Sequence, residues 1–99
     1  MKIVIQSSAD EDLAEGFSFY EQQEAGLGVY FLDSLSSDID SLKLYAGIHI
    51  KVFDSYRLLS RRFPYAVYYS IEGEMILVEA VLDCRRDPTW IRERLKKKS

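Results

Sequence analysis

Two runs of the chain decide its fold: Arg61-Arg62-Phe63-Pro64-Tyr65-Ala66-Val67-Tyr68-Tyr69 and, after a tight turn, Val78-Glu79-Ala80-Val81-Leu82-Asp83-Cys84-Arg85-Arg86-Asp87-Pro88-Thr89-Trp90. Both runs contain the β-branched and aromatic residues that strands prefer, and each carries an arginine pair at one end. Successive strands of a meander lie side by side. The two arginine pairs are therefore expected on neighbouring parts of one small sheet, where they form a cationic surface.

The first half of the chain predicts a strand followed by a helical hairpin. Lys2 to Gln6 contains a β-branched run and reads as the strand, and Ser7 or Ser8 is expected to cap the next helix. Gly26 and Gly28 are predicted to supply the tight reversal between two antiparallel helices. Apolar residues at helical spacing define the buried stripes: Ala9, Leu13, Phe17 and Tyr20 in the first helix, and Phe31, Leu35, Ile39 and Leu42 in the second.

The second half predicts strands and a short terminal helix. Gly47 is expected to end the helical region. Strand-like segments follow at 48–52, 56–63, 65–71 and 75–82, with a hairpin turn at 72–74. Along 65–71 the odd-numbered residues are predicted to share one face of the sheet and the even-numbered residues the other. Asp87 and Pro88 predict the start of a helix that continues through Trp90, Ile91 and Leu95.

The bulk composition is that of one globular domain. Ninety-nine residues, 47% of them hydrophobic and 13% aromatic, suffice for a single core. Residues 1–50 contain two basic and nine acidic residues, a net charge of −7, whereas residues 51–99 contain eleven basic and seven acidic residues, a net charge of +4. A pI of about 5.1 argues against nonspecific nucleic-acid binding, so a contact with phosphates or an acidic protein is expected in the second half.

Five arginines and one tryptophan are the candidate binding residues. Guanidinium groups capture phosphate or carboxylate in a bidentate manner, and a cluster of them is best explained by a binding surface. The alternative is that each arginine is a solvated strand end paired with a nearby carboxylate, which is equally probable for any single residue. The candidates are Arg57, Arg61, Arg62, Arg85, Arg86 and Trp90.

Other reactive side chains give weaker signals. His49 is the sole histidine and has no pattern of metal ligands around it, so a surface or connecting position is favoured over a catalytic base. Cys84 is the sole cysteine; it cannot form an intramolecular disulfide and is predicted to be small and half-buried, although the neighbouring arginines could lower its pKa. No glycine-rich phosphate loop is present. No metal or cofactor is expected.

The order and spacing of these residues resemble the RelE/ParE superfamily of toxin–antitoxin proteins. In that superfamily an arginine-phenylalanine-proline-tyrosine strand, here Arg62 to Tyr65, leads to an arginine-arginine-aspartate-proline tail, here Arg85 to Pro88. The resemblance extends over residues 1–99 as a single domain. It implies an α+β fold of β-α-α-β-β-β order, with a helical hairpin packed on a small antiparallel sheet and a short C-terminal helix or tail.

The superfamily has two well-known activities, and departures from its patterns favour one of them. RelE-like members cleave messenger RNA on the ribosome, whereas ParE-like members bind DNA gyrase. Ala66 stands where the nuclease type commonly has arginine, Asp83 stands where related chains often have histidine, and no tyrosine or histidine follows Tyr69. RNA cleavage would then lack an obvious proton carrier. The resemblance therefore implies the ParE-like branch, without catalytic residues.

The resulting hypothesis is a cytoplasmic toxin of a type II toxin–antitoxin, or plasmid stabilization, system. Its expected partners are a cognate antitoxin encoded by an adjacent gene and a target such as DNA gyrase, with DNA reached only through the antitoxin and with no membrane contact. The absence of any run near the roughly 20 apolar residues that span a bilayer agrees with this expectation. Two alternatives stay open: a ribosome-dependent mRNA endoribonuclease using Arg57, Arg61 and Arg85 or Arg86, and a degenerate member that only binds its antitoxin.

Overall fold

Nine elements follow one another along residues 1–96, the part of the chain that the computed structural model describes. They are β1 (Lys2–Ile5), α1 (Ser7–Gln23), α2 (Leu27–Asp40), α3 (Leu42–Tyr45), β2 (Lys51–Val52), β3 (Ser55–Leu59), β4 (Tyr65–Glu72), β5 (Met75–Asp83) and α4 (Pro88–Lys96). Lys97 and Lys98 of the predicted basic tail lie outside the described residues. Within 1–96 no helix is both long and apolar enough to cross a membrane.

The sheet is mixed rather than purely antiparallel, which corrects one part of the predicted fold. Its strand order is β1-β5-β4-β3-β2, and the four later strands form an antiparallel meander. β1 instead runs parallel to β5, with Lys2 opposite Met75 and Ile5 opposite Val78. The β-branched run predicts a strand at 2–6 but carries no information about its direction, because direction is set by the path of the connecting chain.

The alternation predicted along β4 is confirmed and divides the molecule into two cores. Val67 and Tyr69 point to the face covered by α1 and α2, whereas Ala66 and Tyr68 point to the face covered by α4. The first core is large and rich in aromatic rings, with Phe31 at its centre. The second core is small. It contains Ala66, Tyr68, Ala80, Leu82, Ile91 and Leu95.

The helical hairpin confirms most of the predicted stripes, although Phe17 is only half-buried and Leu42 belongs to α3. One of its glycines also has another role than predicted. Gly26 makes the reversal, with a φ of 91° that favours glycine. Gly28 already lies within α2, where a Cβ atom would come 2.7 Å from the carbonyl oxygen of Phe17. In the same way, a Cβ on Gly16 would meet the Phe31 ring at 2.4 Å. These glycines let α1 and α2 pack closely.

The two predicted helix starts have different outcomes. The Asp87 side chain caps α4 as predicted, because the backbone N–H of Thr89 donates to its Oδ1 at 2.7 Å. The serine cap predicted for α1 is wrong: Gln6 is the capping residue and its side chain makes no capping bond. Ser8 lies inside the helix, and its hydroxyl donates to the carbonyl oxygen of Glu79 at 3.1 Å.

The segment before β3 is less regular than a strand over 48–52. Only Lys51–Val52 pairs with β3, and Ile48 and Ile50 are exposed. The predicted strand over 56–63 is also shorter, since β3 ends at Leu59 and the backbone N–H of Ser60 donates to the carbonyl oxygen of Tyr65. This bond closes a loop over 60–64 that places the Phe63 side chain in the large core.

Candidate interaction surface

The two arginine pairs lie at the same end of the sheet, as the sequence predicts. Arg61 and Arg62 occupy the β3–β4 loop, and Arg85 and Arg86 occupy the β5–α4 loop. The loops are adjacent because the backbone N–H of Cys84 donates to the carbonyl oxygen of Pro64 at 2.8 Å. We call this end of the molecule, residues 60–64 and 84–87, the arginine end.

Arg85 is already engaged by a carboxylate of its own chain. Its Nε lies 3.0 Å from Asp83 Oδ1 and its Nη2 lies 2.7 Å from Asp83 Oδ2, a bidentate pair. The hydrogen bond from Arg85 lowers the pKa of Asp83, and the same interaction raises the pKa of Arg85. The side chain of Arg85 is exposed, and its bonds to Asp83 through Nε and Nη2 fix the orientation of the guanidinium group.

Two other arginines stack on aromatic rings. The guanidinium carbon of Arg86 lies 4.1 Å from the centre of the Trp90 ring, and that of Arg62 lies 5.8 Å from the centre of the Tyr30 ring. Trp90 belongs to α4 and Tyr30 to α2, so the two pairs extend to opposite faces of the sheet. Both rings are partly exposed. The pairs thus present a cation next to an apolar ring at the surface.

Arg57 does not join the arginine end. It lies in the middle of β3 opposite Tyr68, on the face that α4 covers. Its Nε is buried and has no hydrogen-bond partner among the described residues. The structure therefore places Arg61, Arg62, Arg85 and Arg86 in the two loops of one end, whereas Arg57 lies on β3 outside these loops and approaches them near Cys84.

The sheet face beneath α4 is apolar next to Arg57. Ala66 is fully buried and Tyr68 is 2% exposed, and both pack with Ile91 and Leu95 of α4. Burial raises the pKa of the Tyr68 hydroxyl. Because α4 covers this face, a substrate phosphate would have to displace α4 before it could reach the side chain of Ala66 or Tyr68.

A largely buried carboxylate, not indicated by any sequence pattern, holds α4 in place. Asp12 Oδ2 accepts from Arg94 Nη2 at 2.7 Å and from the backbone N–H of Val81 at 3.0 Å. Arg94 Nη2 also donates to the carbonyl oxygen of Ser8 at 3.1 Å. Burial raises the pKa of Asp12, whereas its two donors act in the opposite direction.

His49 is held by the tyrosine at the centre of the sheet. The hydroxyl of Tyr69 accepts from the backbone N–H of Gly47 at 3.0 Å and is hydrogen-bonded to His49 Nδ1. The direction of this second bond depends on which ring nitrogen of His49 carries the proton. Burial lowers the pKa of His49. The predicted connecting position of His49 is confirmed.

Cys84 departs from its predicted setting. It is exposed rather than half-buried. The sulfur is nonetheless partly desolvated, which raises the pKa of the thiol in spite of the nearby Arg57. Cys84 therefore lacks the stabilised thiolate of a reactive cysteine. Among residues 1–96 no three histidine, cysteine or acidic side chains are grouped as metal ligands.

A groove of about 770 Å³ lies between α2 and β3, and we call it the α2–β3 groove. One wall is a stripe of α2 that includes Tyr30, Ser34 and Ser37. The other wall contains Leu58 and Leu59 of β3, with Arg61 and Arg62 at the arginine end. The remaining lining residues are Asp33, Asp38, Ser41, Tyr45, Ile48 and His49.

Comparisons with known proteins give one informative result. The sequence matches no model of a known protein family and no curated protein. Its structure is similar to a chain of a solved structure described as the chromosomal ParDE TA system from P. aeruginosa, with a TM-score of 0.74 and 15% sequence identity. The match covers 82% of this chain and 92% of that chain. The ParE-like fold implied by the resemblance is thereby confirmed.

Proposed function

We propose that the chain is the toxin of a type II toxin–antitoxin pair, neutralised in the cytoplasm by an antitoxin from an adjacent gene. The observation that carries this proposal is the structural similarity, over 82% of this chain and 92% of the other, to a chain of a ParDE system. The sequence motifs at Arg62–Tyr65 and Arg85–Pro88 are independent support, since they lie in the two adjacent loops that form the arginine end. A second, antitoxin-sized protein is then the expected partner.

We also propose that the toxin acts by binding a protein target such as DNA gyrase rather than by cutting RNA. Phosphoryl chemistry on RNA needs convergent cations and a proton carrier. Here Arg85 is bonded to Asp83, and Arg57 lies in the middle of β3 rather than in the two loops of the arginine end. The only histidine is bonded to Tyr69 through Nδ1 and lies in the α2–β3 groove, away from Arg85 and Arg86.

The arginine end remains the candidate target-binding surface, with a changed ranking of its residues. Arg86 stacked on Trp90 presents the combination of planar cation and aromatic ring that is common at protein interfaces. Arg85 serves to hold the loop through Asp83. We therefore propose Arg86 and Trp90 as the principal target contacts, with Arg61 and Arg62 beside them.

Induction of the chain in a bacterial host, with and without the product of the neighbouring gene, tests these proposals. We expect growth arrest that the neighbouring product relieves, and inhibition of DNA supercoiling by purified gyrase when the purified chain is added. Primer extension on ribosome-bound transcripts should show no new codon-specific cuts. Such cuts, lost in an Arg61→Ala variant, would favour the endoribonuclease instead.

A further inference from the structure

We propose that the α2–β3 groove receives an extended segment of the antitoxin, which adds a strand to the open edge of β3. This inference rests on the proposed function, because it specifies where and in what form the partner binds. Added strands gain affinity from main-chain hydrogen bonds and specificity from side-chain pockets on either side of the strand. Both features are present along this groove.

The backbone of Leu59 faces away from the rest of the sheet. In an antiparallel pair the residues that exchange hydrogen bonds alternate with those that do not. The N–H of Ser60 bonds to Tyr65, so Leu58 opposite Val67 is the next bonded pair. Leu59 lies between the bonded residues Leu58 and Ser60, so its own N–H and C=O point away from β4.

The short β2 strand leaves that part of the edge uncovered. β2 contains only two residues. The last hydrogen bond between this part of the chain and β3 is at Arg57, whose N–H donates to the carbonyl oxygen of Ile50 at 3.0 Å. Leu59 lies beyond this point, and its side chain is 53% exposed. An unpaired stretch of strand edge is a ready template for another chain.

The opposite wall of the groove carries a polar group that has no partner in the described chain. Ser34 lines the groove and is only 6% exposed. Its hydroxyl is buried and makes no hydrogen bond within the described residues. Buried hydroxyls are normally satisfied, and an exception calls for an explanation. The Ser34 hydroxyl is, however, closed to solvent, so a segment in the groove does not reach it. The open edge of β3 therefore carries the proposal.

Charge decides between an antitoxin segment and a second copy of this chain. Antiparallel pairing of two β3 edges about Leu59 would place Arg57 opposite Arg61 of the second copy, and parallel pairing in register would place each arginine opposite itself. Like charges directly opposite one another destabilise a strand pair. Arg61 and Arg62 are exposed and form no ion pair within residues 1–96. An extended segment with an acidic residue at the arginine end and apolar residues along Leu58 fits instead.

A proline substitution tests the main-chain bond directly. Leu59→Pro removes the outward N–H without touching the pairing with β4, and proline is tolerated at an edge position of this kind. We expect Leu59→Pro to weaken binding of the purified neighbouring-gene product about tenfold, as measured by calorimetry on the full chain. Leu59→Ala keeps the amide and should weaken binding less than Leu59→Pro does.

The opposite edge of the sheet supplies a matched control. Ile5 of β1 is also exposed at an edge, and its N–H points away from β5, since Lys2 and Gln6 donate to that strand. Ile5→Pro should leave the affinity unchanged. Amide hydrogen exchange provides a second readout, in which the Leu59 amide exchanges rapidly in the free chain and is protected in the complex. Circular dichroism confirms that each variant is folded.

The possible results separate this inference from the proposed function. If the wild-type chain does not bind the neighbouring product, the toxin–antitoxin proposal fails. If it binds but Leu59→Pro binds equally well and the Leu59 amide stays unprotected, the groove is not the site and the inference is overturned. Weaker binding of Ile5→Pro alone would assign the segment to β1. A concentration-dependent dimer that Leu59→Pro abolishes would assign the groove to a second copy.

Discussion

The two faces of the sheet are covered in different ways. On one face α1 and α2 bury a large core in which Phe31 contacts the rings of Tyr20, Phe63 and Tyr65. On the other face α4 buries only Ile91 and Leu95 against the sheet. That small contact is supplemented by the bond between Asp12 and Arg94. The helical hairpin is therefore held by apolar burial, whereas α4 also depends on a polar anchor.

The largest expected effect is on the hairpin face. Phe31 is fully buried and touches three other aromatic rings, so Phe31→Ala leaves a cavity that neighbouring rings cannot fill. We expect the free energy of unfolding to fall by about 3–5 kcal/mol. Urea denaturation followed by circular dichroism measures it. A loss below about 1 kcal/mol would mean that the two faces do not differ in the proposed way.

The next effect concerns the anchor of α4. Asp12→Ala leaves the buried N–H of Val81 without its acceptor and Arg94 without its carboxylate, so we expect a loss of about 1–3 kcal/mol. A double-mutant cycle with Arg94→Ala isolates the pair, because the two changes should not add. Strictly additive losses would show that the bond contributes nothing to the docking of α4.

A smaller, pH-dependent effect belongs to the hairpin side. The folded protein lowers the pKa of His49 below its usual 6.5, so the unfolded chain takes up a proton first as the pH falls. The stability linked to neutral His49 is therefore complete above about pH 6.5 and declines below it. In His49→Asn the slope of unfolding free energy against pH between 7 and 5 should be shallower. An unchanged slope would place the pH dependence elsewhere.

The smallest effect on stability, but a large one on toxicity, is expected at the arginine end. Arg86→Ala removes an exposed side chain and should change stability by only about 0–1 kcal/mol. Toxicity should nevertheless be lost, whereas Arg92→Ala, an exposed arginine on the same α4 side, should retain it. A growth assay with both variants measures this. Equal toxicity of the two would remove Arg86 from the proposed target contacts.

The sequence predicted the features that depend on local pattern. The alternation along β4, the Asp87 cap and the stripe containing Phe31 follow from spacing alone and are confirmed. The meander order also predicted that the two arginine pairs lie on neighbouring parts of the sheet, which is confirmed. These features involve residues close together in the chain, for which geometry follows from backbone periodicity.

Features that depend on distant partners could not be predicted. The parallel direction of β1, the close approach at Gly28 and the bond from Asp12 to Arg94 each join segments that are far apart in the chain or in different elements. In the candidate site, the spacing of residues along the chain does not predict that Arg85 pairs with Asp83 or that Arg86 stacks on Trp90. The exposed edge at Leu59 likewise depends on how early β2 ends.

The parallel pairing of β1 with β5 also has a consequence for synthesis of the chain. β1 is made first, but Lys2 pairs opposite Met75, so its partner strand leaves the ribosome only when most of the chain has been translated. Until then the Ile3-Val4-Ile5 run has no neighbouring strand, and contacts between segments so far apart in sequence form slowly. A nascent chain interrupted before residue 75 would expose this apolar segment to chaperones and proteases, because the five-stranded sheet cannot form without β5.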